Sequence, residues 1–341
     1  MNTELMDVVV CERPGEVIAS RRPVPVPRDG EVLVRVQRVG ICGTDMHIIR
    51  GTQPYLSYPR IMGHEISGIV EAAPHSAAVR AGDAVYIVPY LSCGECRPCR
   101  NGKPNCCQRI EVLGVHRDGA LANFISVPER SVFRAEGISL DDAAMIEFLA
   151  IGAHAARRGD VEPGQRVLVS GAGPIGIACA LFAKLRGAEV TVLDTRADRL
   201  AVCSGQRRIP HVVSVSAQTP EQLQGLTQGD MYDVVFDATG NAAAMQAGFS
   251  YVAHGGTYVF VSIVPADITF SDPEFHKREM TLKGSRNATA DDFAHVHRRM
   301  LAGAIPLDAL RTHRATLLEF PGIAAKWMNP DEGVIKGLVE C

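Results

Sequence analysis

Charge of one sign is scarce in this chain. Its 341 residues carry 35 Lys and Arg against 38 Asp and Glu, a formal net charge of −3. No basic stripe interrupts that balance, so the footprint of a nucleic-acid binder is missing and no nucleic-acid partner is expected. Long hydrophobic runs are missing too. The most apolar stretch, Val167 to Ala183, is broken by Gly171, Gly173, Pro174 and Gly176. It falls short of the ~20 residues that a bilayer span needs, so no membrane partner is expected either. An export signal is not expected, because Glu4 and Asp7 interrupt the N-terminus before an apolar core can form. No internal repeat is evident. What remains is a globular chain, 46% hydrophobic and 21% charged, long for one core and comfortable for two domains.

Ten cysteines would suit a disulfide framework, but such frameworks belong to small secreted domains. Here five of them fall between Cys93 and Cys107 of a large chain. That pattern points to metal binding in a reducing cytoplasm. Cys93-Gly-Glu-Cys96-Arg-Pro-Cys99, followed by Cys107, places four thiolates on one short loop. Four thiolates fit a closed tetrahedral zinc site whose role is structural. Cys106, beside the last of them, is the possible substitute.

A second group is more open. Gly40-Ile41-Cys42-Gly43-Thr44-Asp45-Met46-His47 packs a thiol, a hydroxyl and an imidazole into a short stretch, and Gly63-His64-Glu65 adds another imidazole and a carboxylate. Such donors near strand ends suit a zinc ion that keeps an open position. Taken singly, Cys42 reads as readily as a buried small hydrophobe, and His64 as a satisfied core histidine. Glu147, within Met145-Ile-Glu-Phe-Leu-Ala150, is a further candidate. A carboxylate on an apolar helix face is expensive to bury without a partner, although a solvated one needs no explanation.

Along the chain, the first 135 residues read as short strands and turns. Met6 to Val10 and Glu16 to Ser20 pair around Pro14-Gly15, and Pro23, Pro25 and Pro27 forbid a helix before the strand Glu31 to Val39. Val32, Val34 and Val36 there alternate with polar or outward positions. Ile66 to Ala72 and Ala84 to Val88 are further strands. From Asp141 the texture changes: Asp141-Asp142 is expected to cap one helix running to about Arg158. Strands follow at Arg166 to Ser170, Glu189 to Leu193, His211 to Val215, Asp233 to Asp237 and Thr257 to Ser262, alternating with helical segments. That alternation argues for a parallel, doubly wound sheet. After about residue 280 the sequence returns to strands and turns, with one helix near Asp291 to Ala302.

Gly171-Ala172-Gly173-Pro174-Ile175-Gly176 follows a strand and opens a helix, the context in which G-x-G-x-x-G binds a dinucleotide. Gly171 permits the tight turn, Gly173 lets pyrophosphate approach the backbone and Gly176 lets the helix pack on the sheet. Asp194 ends the next strand, where a carboxylate accepts the adenosine ribose hydroxyls and repels a 2′-phosphate. NAD is therefore expected over NADP. Arg196 and Arg199 follow closely, which leaves some room for NADP, and Arg199 is a candidate for lying against the adenine.

Together these residues resemble the zinc-dependent medium-chain alcohol/polyol dehydrogenases over essentially the whole chain. The matching motifs are Gly40-Ile-Cys42-Gly-Thr44-Asp45, Gly63-His64-Glu65, the cysteine lobe, Gly171 to Gly176 and Asp237-Ala-Thr239-Gly240. The resemblance implies an α/β fold: a GroES-like, mostly β catalytic domain (residues 1–150 and 280–341) split around a Rossmann domain (151–279), with the active site in the cleft between them. It implies Cys42 and His64 as catalytic-zinc ligands, with Glu65, Glu147 and a water or substrate oxygen sharing the remaining positions; which carboxylate binds directly stays open. Phe148 departs from the proline that commonly follows that glutamate. Cys107 is the family's fourth structural ligand. Thr44 is implied to accept the substrate proton and His47 to relay it, with Glu65 as a further catalytic residue and Thr239 and Ser262 at the cofactor.

A closer resemblance, to the sugar-acid branch that includes L-galactonate 5-dehydrogenases, rests on Gln53-Pro-Tyr-Leu-Ser-Tyr-Pro59, Leu113-Gly-Val-His116-Arg-Asp-Gly119, Phe270-Ser-Asp-Pro-Glu-Phe-His-Lys277 and Gly284-Ser-Arg286-Asn287-Ala-Thr289. Residues 203–210 depart from the usual helix pattern. The implied reaction is NAD-dependent interconversion of a secondary alcohol and a ketone, with two zinc ions per chain. Arg286, Asn287 and His116 are the candidates for a substrate carboxylate. The rival readings are a neutral polyol (sorbitol-type) or threonine dehydrogenase, and a zinc- and NAD-binding redox sensor without turnover. A cytoplasmic homodimer or homotetramer is expected.

Overall fold

The computed structural model describes residues 4–74, 76–205 and 209–341. The chain divides into two compact units, Met1–Glu147 with Thr289–Cys341, and Phe148–Ala288. Strands of the first unit are Leu5–Arg13 (β1), Glu16–Pro23 (β2), Glu31–Ile41 (β3), Arg60–Ile61 (β4), Glu65–Ala72 (β5), Ala84–Ile87 (β6), Tyr90–Leu91 (β7), Glu111–Val112 (β8), Phe124–Pro128 (β9) and Val132–Arg134 (β10). The second unit holds Arg166–Ser170 (β11), Glu189–Asp194 (β12), His211–Ser214 (β13), Tyr232–Asp237 (β14), Val252–Phe260 (β15) and Thr281–Gly284 (β16). The chain then returns to the first unit with Arg311–Thr316 (β17) and Lys336–Glu340 (β18).

In the first unit β1 and β2 form the expected hairpin, turned by Gly15 at φ 80. The larger sheet runs β10-β6-β5-β3-β18-β17, with β9 also paired to β3. Strand β3 is central, and a one-residue bulge interrupts its register against β5 between Val36 and Arg38. Before the bulge Val32, Val34 and Val36 are buried; after it Val39 and Ile41 are. The bulge thus moves the inward face to the odd positions, at the strand end that leads into Cys42. Val8, Val10, Ile66, Ile87, Val127 and Phe320 fill the core on either side. Each such side chain contributes on the order of 1.5–3 kcal/mol by its burial.

In the second unit the order is β13-β12-β11-β14-β15-β16, every neighbour parallel. Counted from its own first strand this is 3-2-1-4-5-6, the doubly wound arrangement. Its strands are apolar on both faces, as Val167 to Val169 and Val234 to Phe236 illustrate.

Two expectations differ from the structure. The helix from Asp141 to Arg158 is two helices, Leu140–Ala143 and Ile146–Arg158. Ser139, not Asp141 or Asp142, caps the first, accepting Asp142 N at 3.1 Å. Asp141 is drawn instead into ion pairs with Arg38 (2.7 Å), Arg311 (3.4 Å) and Arg314, which fix this turn against β3 and β17. Secondly, the sequence places the return to the first unit at about residue 280, but β16 pairs parallel with β15 and remains in the second unit. Its sequence, Thr-Leu-Lys-Gly, is too short to declare which sheet it joins. Of residues 203–210, where a departure from the usual helix pattern is expected, the helix Ala197–Ser204 covers the first two, and 206–208 lie outside the described residues. Among the described residues no helix is long and apolar enough to cross a membrane.

Candidate active site

Cys42 ends β3 and stands at the N-cap of the helix Gly43–Arg50. Asp45, three residues on, reaches back to accept Cys42 N at 2.9 Å, which fixes the thiol's backbone. The other oxygen of Asp45 accepts Gly63 N at 3.1 Å and lies 3.7 Å from His64 Nδ1. One fully buried carboxylate therefore braces both loops and steadies the imidazole. Glu65 opens β5 opposite Gly40 of β3. A Cβ at Gly40 would lie 2.0 Å from Glu65 Oε2, so glycine makes the space this carboxylate fills. The other oxygen, Oε1, pairs with Nζ of Lys336, and both residues are fully buried. Lys336 Nζ also donates to Ile41 O at 3.3 Å. Glu147, in the first turn of Ile146–Arg158, accepts from Tyr90 OH through Oε1.

The donor atoms of Cys42, His64 and Glu65 lie within 4.8 Å of one another. His64 Nδ1, Glu65 Oε2 and Glu147 Oε2 are buried without a hydrogen-bond partner. Buried polar atoms of this kind are costly unless something pairs with them. A thiol, an imidazole and a carboxylate within 4.8 Å of one another are a donor set of zinc. The residues present therefore fit the ion. Burial pulls the His64 imidazole down, but Asp45, Cys42 and Glu147 more than reverse this and hold its pKa well above the ordinary value. Burial pushes the Glu147 carboxyl up. Lys336 stands above its ordinary value because Glu65 and Cys42 outweigh the effect of burial.

Thr44 is half-buried one turn before the exposed His47, so the two share a helix face. His47 Nδ1 hydrogen-bonds Thr52 Oγ1 at 2.8 Å. His116 accepts Val112 N at its Nδ1 (3.1 Å) and stacks on Tyr55, centroids 6.3 Å apart. With Nδ1 accepting, the neutral ring carries its proton on Nε2.

The cysteine lobe is a separate cluster. Sulfurs of Cys96 and Cys99 lie 3.4 Å apart, Cys96 and Cys107 3.8 Å, and Cys93 and Cys99 4.0 Å. Tetrahedral Zn–S bonds of ~2.3 Å place sulfurs about 3.8 Å apart, so the four match the edges of such a site. Backbone N–H groups of Cys93 and Arg109 donate to Cys107 Sγ, each at 3.3 Å. Cys106 is exposed and outside the cluster.

In the second unit Gly171 takes φ 98, and a Cβ on Gly176 would meet Gly171 O at 1.7 Å. The turn and the helix Pro174–Leu185 can therefore close only around glycine. Pro174 and Ile175 form its first helical turn. Asp194, at the end of β12, accepts Ala172 N at 2.6 Å and Arg196 N at 2.8 Å. Both its oxygens are thus engaged in shaping the loop. Arg199 reaches within 3.7 Å of the Cβ position of Gly173, over the turn rather than beyond it. At the end of β14 the buried Asp237 accepts Thr239 Oγ1 at 3.0 Å and Ser262 Oγ at 2.6 Å, which draws two cofactor candidates together. Asn287 adopts φ 52 and has a buried Nδ2 without a partner, while Arg286 beside it is exposed.

Comparison with known proteins follows these lines. Residues 28–137 match the alcohol dehydrogenase GroES-like domain, and 174–302 the zinc-binding dehydrogenase domain. The L-galactonate-5-dehydrogenase of Escherichia coli (strain K12) is 44% identical over 318 residues, 92% of this chain and 94% of that protein. The chain belongs to the zinc-binding alcohol dehydrogenases. As a member it is an oxidoreductase acting on CH–OH groups, with the GroES-like and Rossmann-like folds expected from its sequence. The NADH complex of the alcohol dehydrogenase rspB from E. coli CFT073 matches with a TM-score of 0.92 at 28% identity, covering 99% of both chains. A zinc-binding dehydrogenase from Sinorhizobium meliloti 1021 bound to NADP matches at 0.91 and 28%, covering 99% of this chain and 100% of that one. This family thus contains close structural relatives holding either nicotinamide cofactor.

Sequence reading missed Lys336, Tyr90 and the bracing role of Asp45. A lone lysine in the apolar run Gly333-Val-Ile-Lys-Gly-Leu-Val339 was the signal available for the first. Asp45, three residues after Cys42, was legible as a capping partner.

Proposed function

We propose that this zinc-binding alcohol dehydrogenase interconverts a secondary alcohol and a ketone on a sugar acid of the L-galactonate type, with NAD as hydride carrier. The observation that carries the substrate class is 44% identity, over nearly the whole chain, to a protein named L-galactonate-5-dehydrogenase. In this reading Cys42, His64 and Glu65 hold the catalytic zinc, because their donor atoms form the compact group from which Glu147 is absent. Zinc bound there supplies Lewis acidity toward the substrate hydroxyl near neutral pH. Glu147, buried and tied to Tyr90, keeps its Oε2 without a hydrogen-bond partner. Thr44 accepts the hydroxyl proton, and His47, one helical turn on, passes it toward solvent. Cys93, Cys96, Cys99 and Cys107 hold a structural zinc that stiffens their loop.

Gly171, Gly173, Pro174, Ile175 and Gly176 cradle the dinucleotide pyrophosphate, with Asp194, Arg199, Thr239 and Ser262 around it. For the substrate carboxylate the candidates are Arg286, the donor Nδ2 of Asn287 and the Nε2 of His116. A reducing cytoplasm keeps the lobe thiols available to zinc. The exposed edge strand β16, with Leu282 38% exposed, favours a homodimer or homotetramer.

The test is a spectrophotometric screen at one enzyme concentration, following NADH formation from aldonates, sorbitol-type polyols and threonine. The aldonates should give the highest kcat/KM. A higher value for sorbitol or threonine would replace the substrate assignment, and no turnover with any of them would favour a non-catalytic sensor.

A further inference from the structure

Two relatives of equal likeness hold different cofactors, so the shared fold alone does not decide which one this chain prefers. Arg196 stands at the decisive place. Its backbone N–H donates to Asp194 Oδ1 at 2.8 Å, which fixes its Cα beside the carboxylate at the ribose position. A guanidinium there is what a nucleotide 2′-phosphate requires. The side chain, however, is turned along the chain. Nε donates to Asp198 Oδ1 at 3.0 Å and a terminal nitrogen to Oδ2 at 2.6 Å, a two-pronged pair. Arg196 is 24% exposed in its side chain and Asp198 53%, so the pair sits at the surface where a cofactor can reach it.

We propose that Asp198 sets the preference of this chain for NAD over NADP by holding Arg196 in that two-pronged pair. A carboxylate in fork geometry occupies the two donors that a phosphate would take bidentately. A 2′-phosphate arriving here would meet the charges of Asp194 and Asp198 before it met an available cation. Asp198 is thus a specificity residue acting through Arg196, whereas Asp194 shapes the loop through Ala172 and Arg196 backbone bonds. Asparagine at 198 could neither carry the charge nor complete the fork.

This inference rests on the dinucleotide reading of Gly171 to Gly176. Dissociation constants of NADH and NADPH, measured by fluorescence of the bound reduced nicotinamide and by calorimetry, test both separately. The proteins are the unaltered chain, Asp198→Asn, and Asp198→Asn combined with Arg196→Gln. The Asp198→Asn change should raise the affinity for NADPH relative to NADH about tenfold, the worth of one charge-assisted hydrogen bond. The double change should return the ratio to that of the unaltered chain. An unchanged ratio in Asp198→Asn would overturn the proposal. A gain that persists in the double variant would overturn it too, because removal of charge alone would then suffice. Failure of the unaltered chain to bind NADH would refute the dinucleotide reading itself, and the proposal with it.

Discussion

Gly40→Ala is the sharpest test of the catalytic metal group, because it leaves every proposed ligand side chain chemically intact. Gly40 faces Glu65 across the β3–β5 ladder. A Cβ there would lie 2.0 Å from Glu65 Oε2 and 2.9 Å from Glu65 Cβ. Ordinary non-bonded contacts between carbon atoms lie at about 3.5–4.0 Å, so the carboxylate must retreat by more than about 1 Å. It has nowhere cheap to go. Glu65 is fully buried, and Oε1 is paired to an equally buried Lys336. Either the strands part locally, an overpacking cost of about 1–3 kcal/mol, or the ion pair breaks at about 3–5 kcal/mol. The expected outcome is a loss of about 1–3 kcal/mol in urea unfolding, the cheaper route. Displacing the supported carboxylate should weaken the catalytic zinc and lower kcat/KM, each by about 10–100-fold. Zinc per chain, measured by atomic emission after dialysis against a weak chelator, should fall from two to one, the lobe ion being retained. Gly43→Ala is the control, since its Cβ would meet nothing within 4 Å. Two zinc ions and unchanged kcat/KM in Gly40→Ala would refute the assignment of Glu65 as ligand.

Three further outcomes are expected. Cys107→Ser should lose the lobe zinc and lower Tm, whereas Cys106→Ser, at an exposed position outside the cluster, should do neither; the reverse pattern would hand the fourth ligand to Cys106. Arg286→Ala should lower kcat/KM about tenfold more for an aldonate than for a neutral polyol, and equal losses on both would sink the carboxylate role. For Asp141, burial pushes the carboxyl up, but Arg314 and Arg38 outweigh it and hold the pKa below the ordinary value. The stability this brings is complete above the unfolded value of about 3.9 and is lost as pH falls through the lower folded value. Asp141→Asn should therefore cost about 1 kcal/mol in urea unfolding at pH 7, with the difference closing toward pH 3; a cost independent of pH would contradict the ion-pair account.

Local chemistry was legible in the sequence and distant pairing was not. A period-2 apolar run located β3, β-rich runs located β5 and β11, and the spacing of Gly171, Gly173 and Gly176 announced a turn that only glycine can close. Four cysteines within one loop declared their cluster in the same way. Lys336 stayed hidden because its partner lies 271 positions away, joined only once β18 pairs with β3. Asp141 misled because an acidic residue before an apolar run reads as a helix cap. Only the assembled sheet shows Arg38, Arg311 and Arg314 converging on it. The second boundary failed for the related reason that β16 is a short edge strand with no pattern of its own.

Charge explains why a lysine is buried at the end of β18. With an ion bound, a thiolate at Cys42 and carboxylates at Glu65 and Glu147 would bring three negative charges together in a largely buried site. Asp45 stands beside them, stabilised by hydrogen bonds from the N–H groups of Cys42 and Gly63. Lys336 returns one positive charge through Glu65, and a divalent ion returns two, so the three and the three balance. A cluster of this composition draws in positive charge, and the raised pKa of Glu147 and of His64 express the same demand through protons. Without Lys336 the occupied site would keep a net negative charge away from water, an imbalance worth several kcal/mol. A neutral residue at 336 would therefore strain the proposed site even with zinc bound.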